Sequence, residues 1–132
     1  MDAITIKHLV VERGGKTILH DMTASLPKGK ITAIVGPNGC GKSTFLKAIN
    51  CMIPVAKGSI EISGRDVRSF SRKALSREIA FLTQSHDLPQ DVPVADLVAM
   101  GRFPYRRLLS PLTKDDQAAI HRAIDAVGLR GY

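Results

Sequence analysis

The chain is 132 residues long with 44% hydrophobic residues, enough for one aliphatic core domain, since aromatic residues make up only 5% and tryptophan is absent. Its formal net charge is +7, but the basic residues are scattered and only Arg102, Arg106 and Arg107 cluster, so no arm for nucleic acid stands out and no nucleic-acid partner is expected. No stretch approaches the ~18 uninterrupted apolar residues of a membrane span, and Met1-Asp2-Ala3-Ile4 lacks the basic start and apolar run of a signal peptide.

Ile4 to Val11 reads as a strand, Gly14-Gly15 as a turn, and Ile18 to Leu26 as a second strand. Its expected inward set is Leu19, Met22, Ala24 and Leu26, an alternation with a flaw in it. Pro27-Lys28-Gly29 is a further turn, so a small antiparallel sheet is expected at the start of the chain. Lys30-Ile31-Thr32-Ala33-Ile34-Val35 then has the apolar, β-branched texture of a buried strand.

Gly36-Pro37-Asn38-Gly39-Cys40-Gly41-Lys42-Ser43-Thr44 fits G-x-x-x-x-G-K-[ST], a phosphate-binding loop. Glycines let the backbone curl so that successive N–H groups converge on one point. A helix that follows adds its unpaired amides and positive dipole end. Lys42 would then reach the β/γ-phosphates and the Ser43 hydroxyl would ligate Mg²⁺. Phe45, Leu46, Ala48, Ile49 and Met52 recur at helical spacing after the loop, and Pro54 ends that helix region. Cys40 and Cys51 have neither disulfide nor metal spacing and read as reduced thiols.

Gly58 to Gly64 is a short strand flanked by glycines, Arg72 to Arg77 one or two helical turns, and Ile79 to Thr83 a buried strand with Gln84 at its end. Asp91 to Met100 and Thr113 to Val127 read as helices, the second with Thr113 as N-cap, Asp116 as its capping-box partner, an Ile120, Ala123, Ile124 and Val127 stripe, and Gly128 as the stop. Asp125 to Gly128 spells the D-x-x-G of GTPase switches. It closes an amphipathic helix instead of following a strand, and no N-K-x-D guanine reader occurs, so that reading is set aside.

Leu26-Pro27-Lys28-Gly29-Lys30, the phosphate loop, Gly58-Ser59-Ile60 with Gly64, and Phe81-Leu82-Thr83-Gln84 together resemble the N-terminal half of the ATP-binding subunit of ABC transporters, over essentially the whole chain. Val94 to Tyr105 resembles the subunits that energise import of iron–siderophore complexes, haem or cobalamin. The resemblance implies an α/β fold: a phosphate-loop NTPase core with an N-terminal antiparallel β subdomain (together 1–84), then the start of a helical subdomain (85–132), an incomplete ABC ATPase fold.

It also implies ATP and Mg²⁺ as ligands. Gly36, Pro37, Asn38, Gly39, Cys40, Gly41, Lys42, Ser43 and Thr44 would hold the phosphates, with Mg²⁺ on Ser43 and Gln84. Lys42 and Gln84 would carry the catalytic roles, Gln84 reaching the attacking water and relaying nucleotide state. Arg13 stands where the family often has an adenine-stacking aromatic residue, and a guanidinium plane also stacks on a base. Implied partners are transmembrane permease subunits, a second ATP-binding subunit and, indirectly, a periplasmic or surface binding protein, at the cytoplasmic face of the membrane as a peripheral subunit. The signature motif, the Asp-Glu strand and the switch histidine of the family do not occur within these residues, so the chain by itself is expected to bind ATP and hydrolyse it little or not at all. A non-catalytic nucleotide-binding remnant and a non-transport ABC ATPase are the alternatives.

Overall fold

The structure, a computed structural model, describes residues 1–84 and 91–131. Chain contacts divide it into two compact units, Met1–Ile79 and Ala80–Tyr132.

The first unit is built on an antiparallel sheet of order β2-β1-β3-β4. Strands β1 (Asp2–Arg13) and β2 (Lys16–Pro27) form a long hairpin closed by Gly14 and Gly15. Both turn glycines have positive φ, 54° and 74°, which the right-handed twist of a two-residue hairpin demands and which glycine adopts without cost. Strand β3 (Lys57–Ile62) adds to the other side of β1, and the two-residue β4 (Arg65–Asp66) completes the sheet.

The inward residues of β1 are Ile4 and Ile6, then Leu9 and Val11, so the parity changes once. In β2 it changes from Leu19 to Met22, Ala24 and Leu26. Both changes are register irregularities of the β1–β2 ladder, and they account for the flaw in the alternation of the sequence.

Helix α1 (Lys42–Ile49) lays Phe45, Ala48 and Ile49 on the sheet, positions three and four apart that share one face. The core thus joins β1, β2, β3 and α1 with Val67 and with Leu75 of α2 (Arg72–Glu78). Helix α2 starts at Ser71, whose hydroxyl accepts from Ala74 N at 3.1 Å. Burying a side chain such as Ile6 or Ile60 contributes roughly 1.5–3 kcal/mol.

Two expectations are corrected. Residues 30–35 and 79–83 are not hydrogen-bonded strands among the described residues. A strand is stable only beside another that accepts its ladder, and the sheet that forms offers these segments no place. The apolar texture that suggested burial is largely solvated: Ile31 is fully exposed, and Val35 and Leu82 nearly so, while Ile34 and Ile79 rest against the core. The antiparallel part of the expected α/β fold is therefore present, and segments 30–35 and 79–83 lie outside its ladders among the described residues.

In the second unit, α3 (Val94–Met100) packs against α4 (Lys114–Ala126). The expected capping box is present: Asp116 N donates to Thr113 Oγ1 at 3.1 Å and Thr113 N donates to Asp116 Oδ2 at 3.0 Å. Helix α4 ends in a Schellman motif, Leu129 N to Ile124 O and Gly128 N to Asp125 O, with Gly128 at φ 71°. The expected stripe narrows to Ile120, which is buried, and Ile124, which is half-buried; Ala123 and Val127 are exposed. Residues 85–90, which fall in the expected start of the helical subdomain, lie outside the described residues.

Candidate functional site: a phosphate loop at the start of α1

The glycines of the loop take the conformations that the motif needs. Gly39 and Gly41 have φ of 82° and 102°, a region L-residues rarely enter. Gly41 is the N-cap of α1 and, having no side chain, provides no capping bond. The amides that open the helix have no intrahelical acceptor. They point from the positive end of the helix dipole, where an anion is stabilised.

Lys42 is the first residue of α1, yet its side chain folds back over the loop. Its Nζ donates to Gly36 O and to Pro37 O, each at 2.7 Å, and lies 3.9 Å from Cys40 Sγ. One ammonium thus ties together both ends of a five-residue arch. A methyl group placed on Gly36 would lie 2.8 Å from Cys40 Sγ, so a larger residue there would displace that side chain. Beside Gly39 a methyl would meet nothing within 4 Å, so the arch is open on that side. Gly36 to Cys40 are exposed, as is Ser43, while Lys42 and Thr44 are half-buried. Among the described residues the Ser43 and Thr44 hydroxyls make no hydrogen bond and are available to a ligand.

The donor set therefore fits a phosphate chain: curled glycine backbone, helix-opening amides, one ammonium and two hydroxyls, with no carboxylate among residues 36 to 44 to repel it. Ser43 would offer a hydroxyl oxygen to Mg²⁺, which keeps most of its waters.

The structure gathers Gly36 through Thr44 into one loop at the start of α1. Arg13 is exposed at the tip of the β1–β2 hairpin, facing Lys16 across the turn. Gln84 is exposed, in a bend in the second unit. No helix among the described residues is long and apolar enough to cross a membrane.

Sequence reasoning missed the floor of the loop. Gly41 sits directly on β2: a methyl placed on it would lie 2.9 Å from Leu19 Cδ2 and 3.5 Å from both Ile18 Cγ2 and Ile18 O. Alternation marks Leu19 as inward but does not say what it faces. At the other end of α1, about 12 Å away for eight residues, a cavity of about 390 Å³ opens between Met52, Val55, Val67 and Arg72. It is mainly apolar and shares no residue with the loop.

Motif and loop geometry place the chain in the phosphate-loop class. Its particular lineage follows from relatives. Residues 19–132 match the ABC transporter family, and the chain belongs to that family. It is 37% identical over 97% of its length to an achromobactin transport ATP-binding protein of Dickeya dadantii, covering 48% of that protein. It is 33% identical over its whole length to an iron(3+)-hydroxamate import ATP-binding protein of Bacillus subtilis, covering 49%. It is 35% identical over 93% of its length to a ferric enterobactin transport ATP-binding protein of Escherichia coli, covering 45%. The chain thus spans about half the length of the curated relatives it matches. In fold it superposes with a TM-score of 0.73 on a protein described as a metal-chelate type ABC transporter in an inward-facing conformation, at 23% identity, over 97% of this chain and 45% of the other.

Proposed function

We propose that these residues form the phosphate-binding half of the ATP-binding subunit of an importer for an iron–siderophore or related metal chelate. The observation that carries the reading is the Lys42 ammonium closed onto Gly36 and Pro37 over a glycine arch that leads into the N-terminus of α1. The relatives named above, ATP-binding proteins for transport of achromobactin, iron(3+)-hydroxamate and ferric enterobactin, support the choice of cargo class.

In this reading the residues bind and orient; they do not by themselves complete a catalytic site. The backbone of Asn38 to Gly41 and Thr44 hold the α- and β-phosphates. Lys42 exchanges part of its carbonyl contact for the β/γ-phosphates, and Ser43 offers its hydroxyl to Mg²⁺. Mg²⁺ would supply charge neutralisation between the phosphates. Phosphoryl transfer is largely positioning and charge stabilisation, and Gln84 is the residue assigned to the Mg²⁺ and water side. Transmembrane permease subunits and a second ATP-binding subunit are the proposed partners, a binding protein acts upstream of them, and the assembly lies at the cytoplasmic face of the membrane.

The test is equilibrium binding of MgATP to the chain and to Lys42→Ala. Losing charge-assisted bonds of about 1.5–3 kcal/mol predicts at least a tenfold weaker complex. Equal affinity of the two proteins would sink the phosphate-loop assignment. For the cargo, disruption of the encoding locus is expected to abolish uptake of a radioiron-labelled siderophore; unchanged uptake of every iron chelate tried would refute the cargo class.

A further inference from the structure

The phosphate loop rests on a strand outside the motif. The N-cap of α1 is a glycine in left-handed conformation with no side-chain cap, so no capping side chain fixes the first turn of the helix. A glycine N-cap forgoes only a few tenths of a kcal/mol relative to a side-chain cap, and the helix-opening amides it leaves uncapped are the ones that would bind phosphate. What holds Gly41 is β2. A methyl group on Gly41 would lie 2.9 Å from Leu19 Cδ2, too close without a shift of that side chain, and in ordinary contact with Ile18. Leu19 is 6% exposed and belongs to the core, with Phe45 of α1 in the same cluster. Phe45 N donates to Gly41 O at 2.8 Å, so the residue seated on Leu19 also accepts the first helical hydrogen bond.

We propose that Leu19 is a positioning residue for the phosphate loop: its isobutyl group is the seat that keeps Gly41 in its left-handed conformation and the opening amides of α1 aimed at one point. The inference rests on the phosphate-binding reading above and assigns the preorganisation of that site to a strand outside the motif. Leu19 touches no phosphate itself. Its removal leaves a gap beneath Gly41, lets the first turn of α1 relax toward the sheet, and spreads the amide directions. The ligand class affected is any polyphosphate, irrespective of base.

Two probes separate this role from others. Tripolyphosphate carries the phosphate chain without nucleoside, and MgATP carries both. Leu19→Ala is expected to weaken both by the same factor, about tenfold, the scale on which a slightly misplaced binding group is felt. Leu19→Val is expected to show a smaller loss of the same kind, and Leu19→Met, which conserves volume, to restore near-original affinity. Hydrogen exchange at the amides of Ser43 to Phe45 should quicken in Leu19→Ala without ligand. Ile62→Val, a trimmed core residue on β3, is the control for loss of stability alone.

The inference is overturned if Leu19→Ala binds tripolyphosphate as the parent does, or if Ile62→Val weakens it equally. It is also overturned if only MgATP binding suffers, which would move Leu19 to the nucleoside side. If Leu19→Ala does not fold, Leu19→Val decides, and parental affinity in that variant refutes the role. Failure of the parent chain to bind either probe is the separate result that removes the phosphate-loop reading and this one with it.

Discussion

His8 Nδ1 lies 2.8 Å from Asp21 Oδ1 across the β1–β2 pair, and both residues have left-handed backbone, φ 52° and 46°. They sit where the two strands change the parity of their buried residues. Thr23 Oγ1 accepts from His8 N at 3.1 Å, giving the displaced amide a partner outside the ladder. The exposed contact itself contributes little, as solvent-screened polar contacts do. Its meaning is geometric: the extra residue in each strand bends the hairpin, and the bend is filled from the other side by Gly58 of β3. A methyl group on Gly58 would lie 2.3 Å from His8 O and 2.5 Å from Lys7 O, both backbone atoms that cannot swing away.

Gly58→Ala therefore destabilises the first unit by about 3 kcal/mol or more, from backbone overlap added to the strain of an L-residue at φ 89°. Gly64→Ala is the comparison. Its φ is 78°, but nothing lies within 4 Å, so only the conformational strain of about 1–2 kcal/mol applies. Urea unfolding of both variants checks the ordering, and equal losses would show that the approach to His8 is not constraining.

The same bulges set the limit of what the sequence displayed. Strands, the glycine turn, the phosphate loop and the α4 caps were legible because each depends on residues within a few positions of one another. The parity flaw in β2 was visible, but its cause was not, because a bulge is decided by the pairing of His8 with Asp21 and the approach of Gly58, which are far apart in sequence. Residues 30–35 and 79–83 show the opposite failure. Their composition is that of buried strands, yet composition specifies only the wish for a partner; Ile31 and Val35 remain exposed where no ladder meets them. In the site, Lys42 and Ser43 were legible from spacing, whereas the seat at Leu19 needed the distance between a strand and a loop.

Cys51 is a second left-handed residue with a testable cost. It occupies the C′ position of α1: Met52 N donates to Lys47 O at 2.9 Å and Cys51 N to Ala48 O at 3.0 Å, the two bonds of a Schellman motif. Its φ is 52° where glycine is usual. Burial first, and the Asp66 carboxylate second, push its thiol above the ordinary value, so it is held neutral. Cys51→Gly should raise stability by roughly 0.5–1 kcal/mol, relief of the left-handed strain exceeding the extra flexibility of the unfolded chain. A lower melting temperature in Cys51→Gly than in the parent would show that the thiol's packing matters more than the backbone.

Asp116 gives the second unit a pH dependence of definite sign. The carboxylate is buried and accepts from Arg102 Nε at 2.8 Å, Thr113 N at 3.0 Å and Thr113 Oγ1 at 2.8 Å. The Arg102 bond is the largest cause of its lowered pKa, followed by the Thr113 amide and hydroxyl, which together outweigh burial and bring it from 3.8 to about 2. Arg102 is itself held in place by stacking on Tyr105, 4.0 Å from the ring centroid. Because the folded value lies below the unfolded one, the contribution is fully present above about pH 4 and is lost as pH falls toward about 2. Asp116→Asn should lose that contribution at neutral pH and show a flatter stability profile between about pH 5 and pH 2 than the parent. Melts followed by helical circular dichroism at several pH values check this; parallel profiles would remove Asp116 as the titrating group.

Arg13 offers a test of the nucleoside side that leaves the phosphates alone. It is exposed at the hairpin tip and makes no side-chain hydrogen bond among the described residues, so replacing it breaks nothing in the fold. If it stands at the adenine position, a tyrosine there adds stacking. Such contacts are worth roughly 1–3 kcal/mol per base in nucleic-acid sites, and a single exposed one at the lower end predicts MgATP binding about fivefold tighter in Arg13→Tyr. Tripolyphosphate should bind Arg13→Tyr and the parent equally, apart from the small effect of one lost surface charge. A gain for tripolyphosphate would instead assign Arg13 to the phosphate field, and no gain for MgATP would place the base elsewhere.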